Sequence, residues 1–72
     1  MEASVITIVL NGKTVEISGE KSLRGLIEGQ GLGAGACAAE VNGKLVPRRE
    51  HETRVLMEGD RVELVTLVGG GR

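Results

Sequence analysis

The end of the chain holds the residues whose types and spacing bear most directly on chemistry. Three consecutive glycines, Gly69 to Gly71, follow the apolar run Val62 to Val68 and precede Arg72. Glycine has no Cβ, so such a segment is thin and conformationally free. It suits a narrow channel, where it would bring a backbone carbonyl to another protein's active site. A frayed terminus has the same composition, so the tail alone leaves both readings open.

Side chains with catalytic or metal-binding chemistry are few. The chain has one cysteine, Cys37, and one histidine, His51, which predicts no catalytic residue and no metal site. Cys37 is most simply a small buried residue, and a single cysteine fits a reducing compartment. The first residues lack the basic start of a signal peptide, and no apolar run has the length of a membrane span. We therefore expect a cytoplasmic protein that an enzyme handles, rather than an enzyme.

Composition further limits the partners. The 72 residues predict one domain, and the absence of aromatic residues leaves Val, Ile and Leu to build the core. Without aromatic rings there is no platform on which nucleic-acid bases stack. The net charge of −1, with both signs interspersed, argues against binding to nucleic acid or to an anionic membrane surface.

The first half of the chain predicts a hairpin followed by a helix. Val5 to Leu10 alternates apolar side chains between two faces, and Asn11-Gly12 is a strong signal for a two-residue turn before a returning strand. A helix is predicted over Ser22–Glu28, with Ser22 as its N-cap. Its apolar stripe has the spacing i, i+3, i+4 and consists of Leu23, Leu26 and Ile27.

The second half predicts further strands. Cys37 to Val41 reads as a strand, Asn42-Gly43 as a second hairpin turn, and Pro47 ends the returning strand. The polar residues 48–52 are predicted to form a surface turn. The last strand is expected over Val62 to Val68, after a turn at residues 58–60.

The last strand also predicts a contact surface. Val65 and Leu67 fall on the face opposite Val62 and Leu64, since strand side chains alternate. With one helix covering one sheet face, Val65 and Leu67 are left exposed, and an exposed apolar patch usually marks a partner-docking site. Burial of the strand on both faces is the alternative.

The order of these elements predicts an α+β domain over residues 1–68, with a flexible tail at 69–72. The expected sheet is mixed, with four to five strands and one helix across one face. Asn42-Gly43, Val46-Pro47-Arg48, Gly59-Asp60 and the terminal glycines, in this order, resemble the ThiS family. Members of this family are ubiquitin-like β-grasp proteins that carry sulfur in thiamine biosynthesis.

The resemblance implies a specific chemistry at the tail. The family's C-terminal glycine is adenylated with ATP by a ThiF-type enzyme. Sulfur from a cysteine desulfurase relay then gives a thiocarboxylate, which thiazole synthase uses to build the thiazole ring. Carried over to this chain, the Gly-Gly pair is Gly70 and Gly71, with sulfur on Gly71. The implied carrier binds no permanent cofactor.

One residue departs from the family pattern, because Arg72 follows Gly71. Either Arg72 is removed, or sulfur is loaded elsewhere, or this copy is inactive. Three alternative functions also stay open: the small subunit of molybdopterin synthase, a ubiquitin-like protein modifier, and a β-grasp interaction domain with an inert tail.

Overall fold

The fold is a five-stranded mixed sheet with one helix. The computed structural model describes residues 5–19, 21–33 and 37–66. In chain order the elements are β1 (Val5–Leu10), β2 (Lys13–Ser18), α1 (Leu23–Gly29), β3 (Cys37–Val41), β4 (Lys44–Val46), a 3₁₀ turn (Arg48–Glu50) and β5 (Arg61–Thr66). The sheet order is β2-β1-β5-β3-β4. β1 and β5 are parallel, and the other neighbours are antiparallel. The predicted α+β architecture is thus confirmed.

Both hairpins turn at an Asn-Gly pair, as predicted. Asn11 and Gly12 have φ of 50° and 84°, and Asn42 and Gly43 have φ of 54° and 83°. Positive φ at both central residues defines the type I′ turn, whose twist matches that of the flanking strands. The local sequence therefore determines where β1 and β3 reverse.

The helix begins and ends on side-chain and backbone caps. The Ser22 hydroxyl accepts a hydrogen bond from the Gly25 amide at 3.0 Å. Gly31 has φ of 80°, and the amides of Gly31 and Leu32 donate back to carbonyls of the last turn, which is a Schellman cap. The helix runs one residue further than predicted.

The core lies between α1 and one face of the sheet. The three helix residues of the predicted stripe are buried, and the sheet contributes buried side chains from β1, β3, β4 and β5. The fully buried members with the largest side chains are Ile8, Leu23, Ile27, Leu56 and Val62. Ile6, Val15 and Leu64 pack against this cluster while staying partly exposed. The predicted helix stripe of Leu23, Leu26 and Ile27 therefore faces the core.

Two asparagine side chains fasten the hairpin turns to the central strand β5. Asn11 Oδ1 accepts a hydrogen bond from the Leu64 amide at 2.9 Å. Asn42 Oδ1 accepts from the Arg61 amide at 2.9 Å, and its Nδ2 donates to Asp60 Oδ1 at 2.9 Å. We call these contacts the asparagine clasps. They hold β5 against both hairpin turns.

The segment after β4 differs from its predicted form. The sequence predicts a polar surface turn over residues 48–52, but His51 is only 4% exposed. Its Nε2 lies 3.0 Å from the Val46 carbonyl oxygen. Because a carbonyl can only accept, Nε2 carries the proton of this hydrogen bond. The bond satisfies the ring inside the protein, which explains how a histidine can be buried in an otherwise polar stretch.

Candidate functional site

No helix or loop in the described part of the chain covers the sheet face opposite α1. Val65 lies on this face with 58% of its surface exposed, and it pairs with Ala38 while Leu64 faces the core side. Leu45 on β4 is 66% exposed and shares the face. We call Val65, Ala38 and Leu45 the open-face patch. Its geometry agrees with the predicted contact surface, and its use by a partner stays a prediction.

Acidic residues interrupt the open-face patch. Glu40 of β3 stands opposite Glu63 of β5 and opposite Leu45 of β4. Like charges directly opposite on neighbouring strands are destabilising. Arg61 lines the same hollow as Glu40 and Glu63, so the open-face patch presents charges of both signs beside its apolar residues.

The remaining predicted site residues lie outside the described residues. They are Leu67, Gly70 and Gly71, and their placement stays a prediction. The last described residue, Thr66, pairs with Cys37 at the end of the central strand. A chain of five residues beyond Thr66 reaches at most about 18 Å. Any active site that acts on Gly71 must therefore come within this distance of the end of β5.

Cys37 is part of the buried core. Its side chain is 5% exposed, and the cysteine is free. Burial raises the pKa of the Cys37 thiol above its usual value because the charged thiolate is poorly solvated there. The neutral thiol is the dominant form near neutral pH, which agrees with a packing role.

Within residues 5–19, 21–33 and 37–66, no three metal-ligating side chains come together. No described helix has the length and apolarity required to cross a bilayer.

The sequence shows to which protein family the chain belongs. The sequence matches the ThiS family over residues 8–71. The chain belongs to the ThiS family. The ThiS match includes the open-face patch, the asparagine clasps, and the pair Gly70 and Gly71. It confirms the identification made from the hairpin turns, the Val-Pro-Arg stretch and the terminal glycines.

Individual relatives agree with this assignment. The chain is 33% identical over 66 residues to the uncharacterized protein ycf40 of Porphyra purpurea, with 92% of this chain and 93% of the relative covered. The crystal structure of ThiS from Geobacter metallireducens is similar, with a TM-score of 0.74 and 23% identity over 92% of this chain and all of that one. The solution structure of a thiamine biosynthesis protein from Geobacter metallireducens gives a TM-score of 0.74 and 24% identity, covering 93% and 90%. Both structures share the ThiS β-grasp fold.

A concave surface lies on the helix side of the sheet, and the sequence did not predict it. It is formed where α1 meets the segment after β4, with a volume of about 470 Å³. Three arginines line it, Arg24, Arg48 and Arg49, together with Ile27 and the buried His51. We call it the arginine groove. The adjacent Arg48-Arg49 pair was the available signal, but the positions of Arg24 and Ile27 beside it depend on tertiary packing.

Proposed function

We propose that this protein is a sulfur carrier of thiamine biosynthesis. In this proposal the carboxylate of Gly71 is adenylated, sulfur replaces AMP at the acyl carbon, and the resulting thiocarboxylate supplies sulfur to the thiazole ring. The observation that carries the proposal is the ThiS match, which extends through both Gly70 and Gly71 to residue 71. The β-grasp fold and the exit of the chain from the central strand support it.

The chemistry explains why the tail is made of glycine. A carboxylate is a poor electrophile because it carries a negative charge. It also lacks a good leaving group, since attack on its carbon would have to expel an oxide. Attack of the carboxylate oxygen on the α-phosphorus of ATP releases pyrophosphate and makes an acyl adenylate. Hydrosulfide, or a sulfur donor equivalent to it, then adds to the acyl carbon and expels AMP. A tail without side chains can enter the site where both steps occur.

The carrier contributes position rather than catalytic groups. A ThiF-type enzyme would bind ATP and perform the adenylation, a cysteine desulfurase relay would provide sulfur, and thiazole synthase would accept it. In this arrangement ATP is consumed by the partner, and the carrier holds only covalent sulfur. Because Gly71 lies five residues beyond Thr66 at the end of β5, it can reach only a limited volume around that point. This limit lowers the entropic cost of placing Gly71 in a partner's site.

Delivery of sulfur provides the direct test of this function. A form of the protein ending at Gly71 is incubated with the ThiF-type enzyme, ATP and hydrosulfide, and its intact mass is measured. We expect one carboxylate oxygen to be replaced by sulfur. The product is then supplied separately to thiazole synthase and to the large subunit of molybdopterin synthase. Thiazole formation supports the proposal, whereas sulfur transfer only to molybdopterin, or isopeptide-linked adducts on other proteins, would contradict it.

The open-face patch gives a prediction about partner binding. Val65→Asp introduces a charge at a position that is 58% exposed, so the charge stays solvated in the free protein and the fold is expected to persist. Burying that charge against an apolar partner surface is unfavourable. We expect at least about tenfold weaker binding to the ThiF-type enzyme or to thiazole synthase, which corresponds to about 1.4 kcal/mol. Isothermal titration calorimetry measures it.

A matched control exists for this variant. Val55 is also a valine with 58% of its surface exposed, but it lies in the loop that bridges to Ser22 beside the helix. Val55→Asp adds the same charge away from the open-face patch and is expected to leave binding unchanged. If the two variants bind equally well, or lose affinity equally, the open-face patch is not the docking site.

A further inference from the structure

The arginine groove has walls that are fixed by hydrogen bonds. The amide of Arg24 donates to the His51 carbonyl at 2.9 Å, and the amide of Leu23 donates to the Arg54 carbonyl at 2.9 Å. The His51 ring in turn donates to the Val46 carbonyl at 3.0 Å. The first turn of α1 and the segment after β4 are therefore joined directly, and the concavity between them is preformed.

One arginine of the arginine groove is paired with glutamates, whereas the other two are not paired within the described residues. Arg24 Nε lies 3.1 Å from Glu28 Oε2, and Arg24 Nη1 lies 3.7 Å from Glu52 Oε1, so both glutamates are held at the same guanidinium. Arg48 and Arg49 are exposed and make no ion pair or hydrogen bond with the residues that the structure describes. With three arginines and two glutamates, the lining is positive, although the whole chain has a net charge of −1.

We propose that the arginine groove binds a small organic phosphate. The guanidinium group is planar and always charged, and its fork of donors matches the oxygens of a phosphoryl group. Arg48 and Arg49 provide two such forks that no carboxylate of the described chain occupies. The methylene stems of the lining arginines offer an apolar surface for the organic part of the ligand, because long cationic side chains present aliphatic carbon along their length.

The shape of the arginine groove favours a small molecule over a segment of another protein. Its volume of about 470 Å³ falls within the range of about 300–1,000 Å³ that is typical of small-molecule sites. Protein-binding surfaces are usually larger and flatter, and each partner contributes about 800 Å². The apolar and charged groups also converge here from two elements, which is the usual arrangement in ligand pockets.

The site is independent of the sulfur-carrier function. The arginine groove lies on the helix side of the sheet, and the open-face patch lies on the other side. Binding of an organic phosphate can be measured on the carrier alone, without any activating enzyme. Failure of sulfur loading would therefore leave this inference untouched, and the reverse also holds.

The test is a titration followed by nuclear magnetic resonance. Protein labelled with ¹⁵N is titrated separately with AMP, with inorganic phosphate and with a tetraglutamate peptide, at constant ionic strength so that screening is equal. We expect saturable shifts with AMP that are confined to residues 24–28 and 48–52. The expected dissociation constant is on the order of 1 mM or below, with at least about tenfold weaker binding of inorganic phosphate.

Charge-removing variants locate the ligand. Arg48→Gln and Arg49→Gln are each expected to weaken AMP binding by about tenfold, which corresponds to one charge-assisted hydrogen bond. Arg61→Gln is the matched control, because it removes an exposed arginine from β5, and we expect it to leave the affinity unchanged. Equal losses in all three variants would indicate general charge attraction and overturn the assignment.

Three other outcomes of the titration would also overturn it. The first is no saturable shift with AMP at about 10 mM, a concentration that should populate any millimolar site. The second is equal affinity for inorganic phosphate and AMP, which would show that the organic part makes no contact. The third is binding of the tetraglutamate peptide alone, which would indicate an acidic protein segment as the occupant. The shifts of the parent protein decide these outcomes even if a variant fails to fold.

Discussion

A form of the protein ending at Gly71 is expected to become adenylated and to gain sulfur, whereas forms ending at Arg72 or at Gly70 are expected to stay unmodified. Adenylation requires a carboxylate, and in the 72-residue form an amide joins Gly71 to Arg72. Arginine is also long and charged, which fits poorly in a channel shaped for glycine. The form ending at Gly70 falls one residue short, by about 3.3–3.6 Å, and a displacement of this size severely impairs in-line chemistry.

Mass spectrometry of the three forms provides the measurement. Each is incubated with the ThiF-type enzyme, ATP and hydrosulfide, and the expected contrast is at least about 100-fold in the rate of sulfur gain. A control reaction adds a carboxypeptidase specific for basic residues to the 72-residue form, and we expect this to restore modification. Sulfur gain with Arg72 still attached would show that the carrier residue is misassigned. Absence of sulfur in all forms would favour the inert β-grasp alternative.

Leu23→Ala is expected to lower the free energy of unfolding by about 2–5 kcal/mol. Leu23 is fully buried between α1 and the sheet, so the truncation removes apolar contacts and leaves a cavity. For a domain of 72 residues, the total free energy of unfolding is about 4–11 kcal/mol by the usual per-residue range. A single core truncation therefore removes a large part of the stability, and the variant is expected to be partly unfolded at 37 °C.

Urea denaturation followed by circular dichroism measures this effect. The control is Val55→Ala, an aliphatic truncation at a residue that is 58% exposed, and it should change the free energy of unfolding by less than about 0.5 kcal/mol. The midpoint should shift for Leu23→Ala without a change in slope if the unfolding stays two-state. Equal free energies of unfolding for the two variants would contradict a role of the Leu23 side chain in packing α1 against the sheet.

Local structure followed closely from the sequence because it depends on residues close together in the chain. The Asn-Gly turns, the Ser22 cap and the helix stripe each involve backbone preferences or contacts within a few positions. The pairing of β1 with β5 is different, since Val9 meets Arg61 across most of the chain. The resemblance to the ThiS family implied a mixed sheet, but neither it nor the strand patterns specified which strand lies in the centre.

The candidate site was predictable in part for the same reason. Alternation along the last strand placed Val65 on the face opposite the helix, and this part is confirmed. The arginine groove was missed because its lining comes from residues near 24 and near 50, which only tertiary packing brings together. His51 was assigned to the surface because its neighbours are polar, whereas one hydrogen bond to Val46 permits its burial.

We expect the two Asn-Gly turns that carry the asparagine clasps to be sites of slow deamidation. In an Asn-Gly pair the glycine amide nitrogen can attack the side-chain carbonyl carbon, expelling ammonia and leaving an aspartate or isoaspartate after hydrolysis. Asn42 Nδ2 is held at 2.9 Å by Asp60, whereas Asn11 Nδ2 has only a 3.4 Å contact with the Leu64 carbonyl. We expect Asn11 to deamidate first on storage, as peptide mapping would show, and equal rates would contradict this. Deamidation of Asn42 would be more damaging, since it sets a carboxylate against Asp60 and thereby loosens β5 at its start.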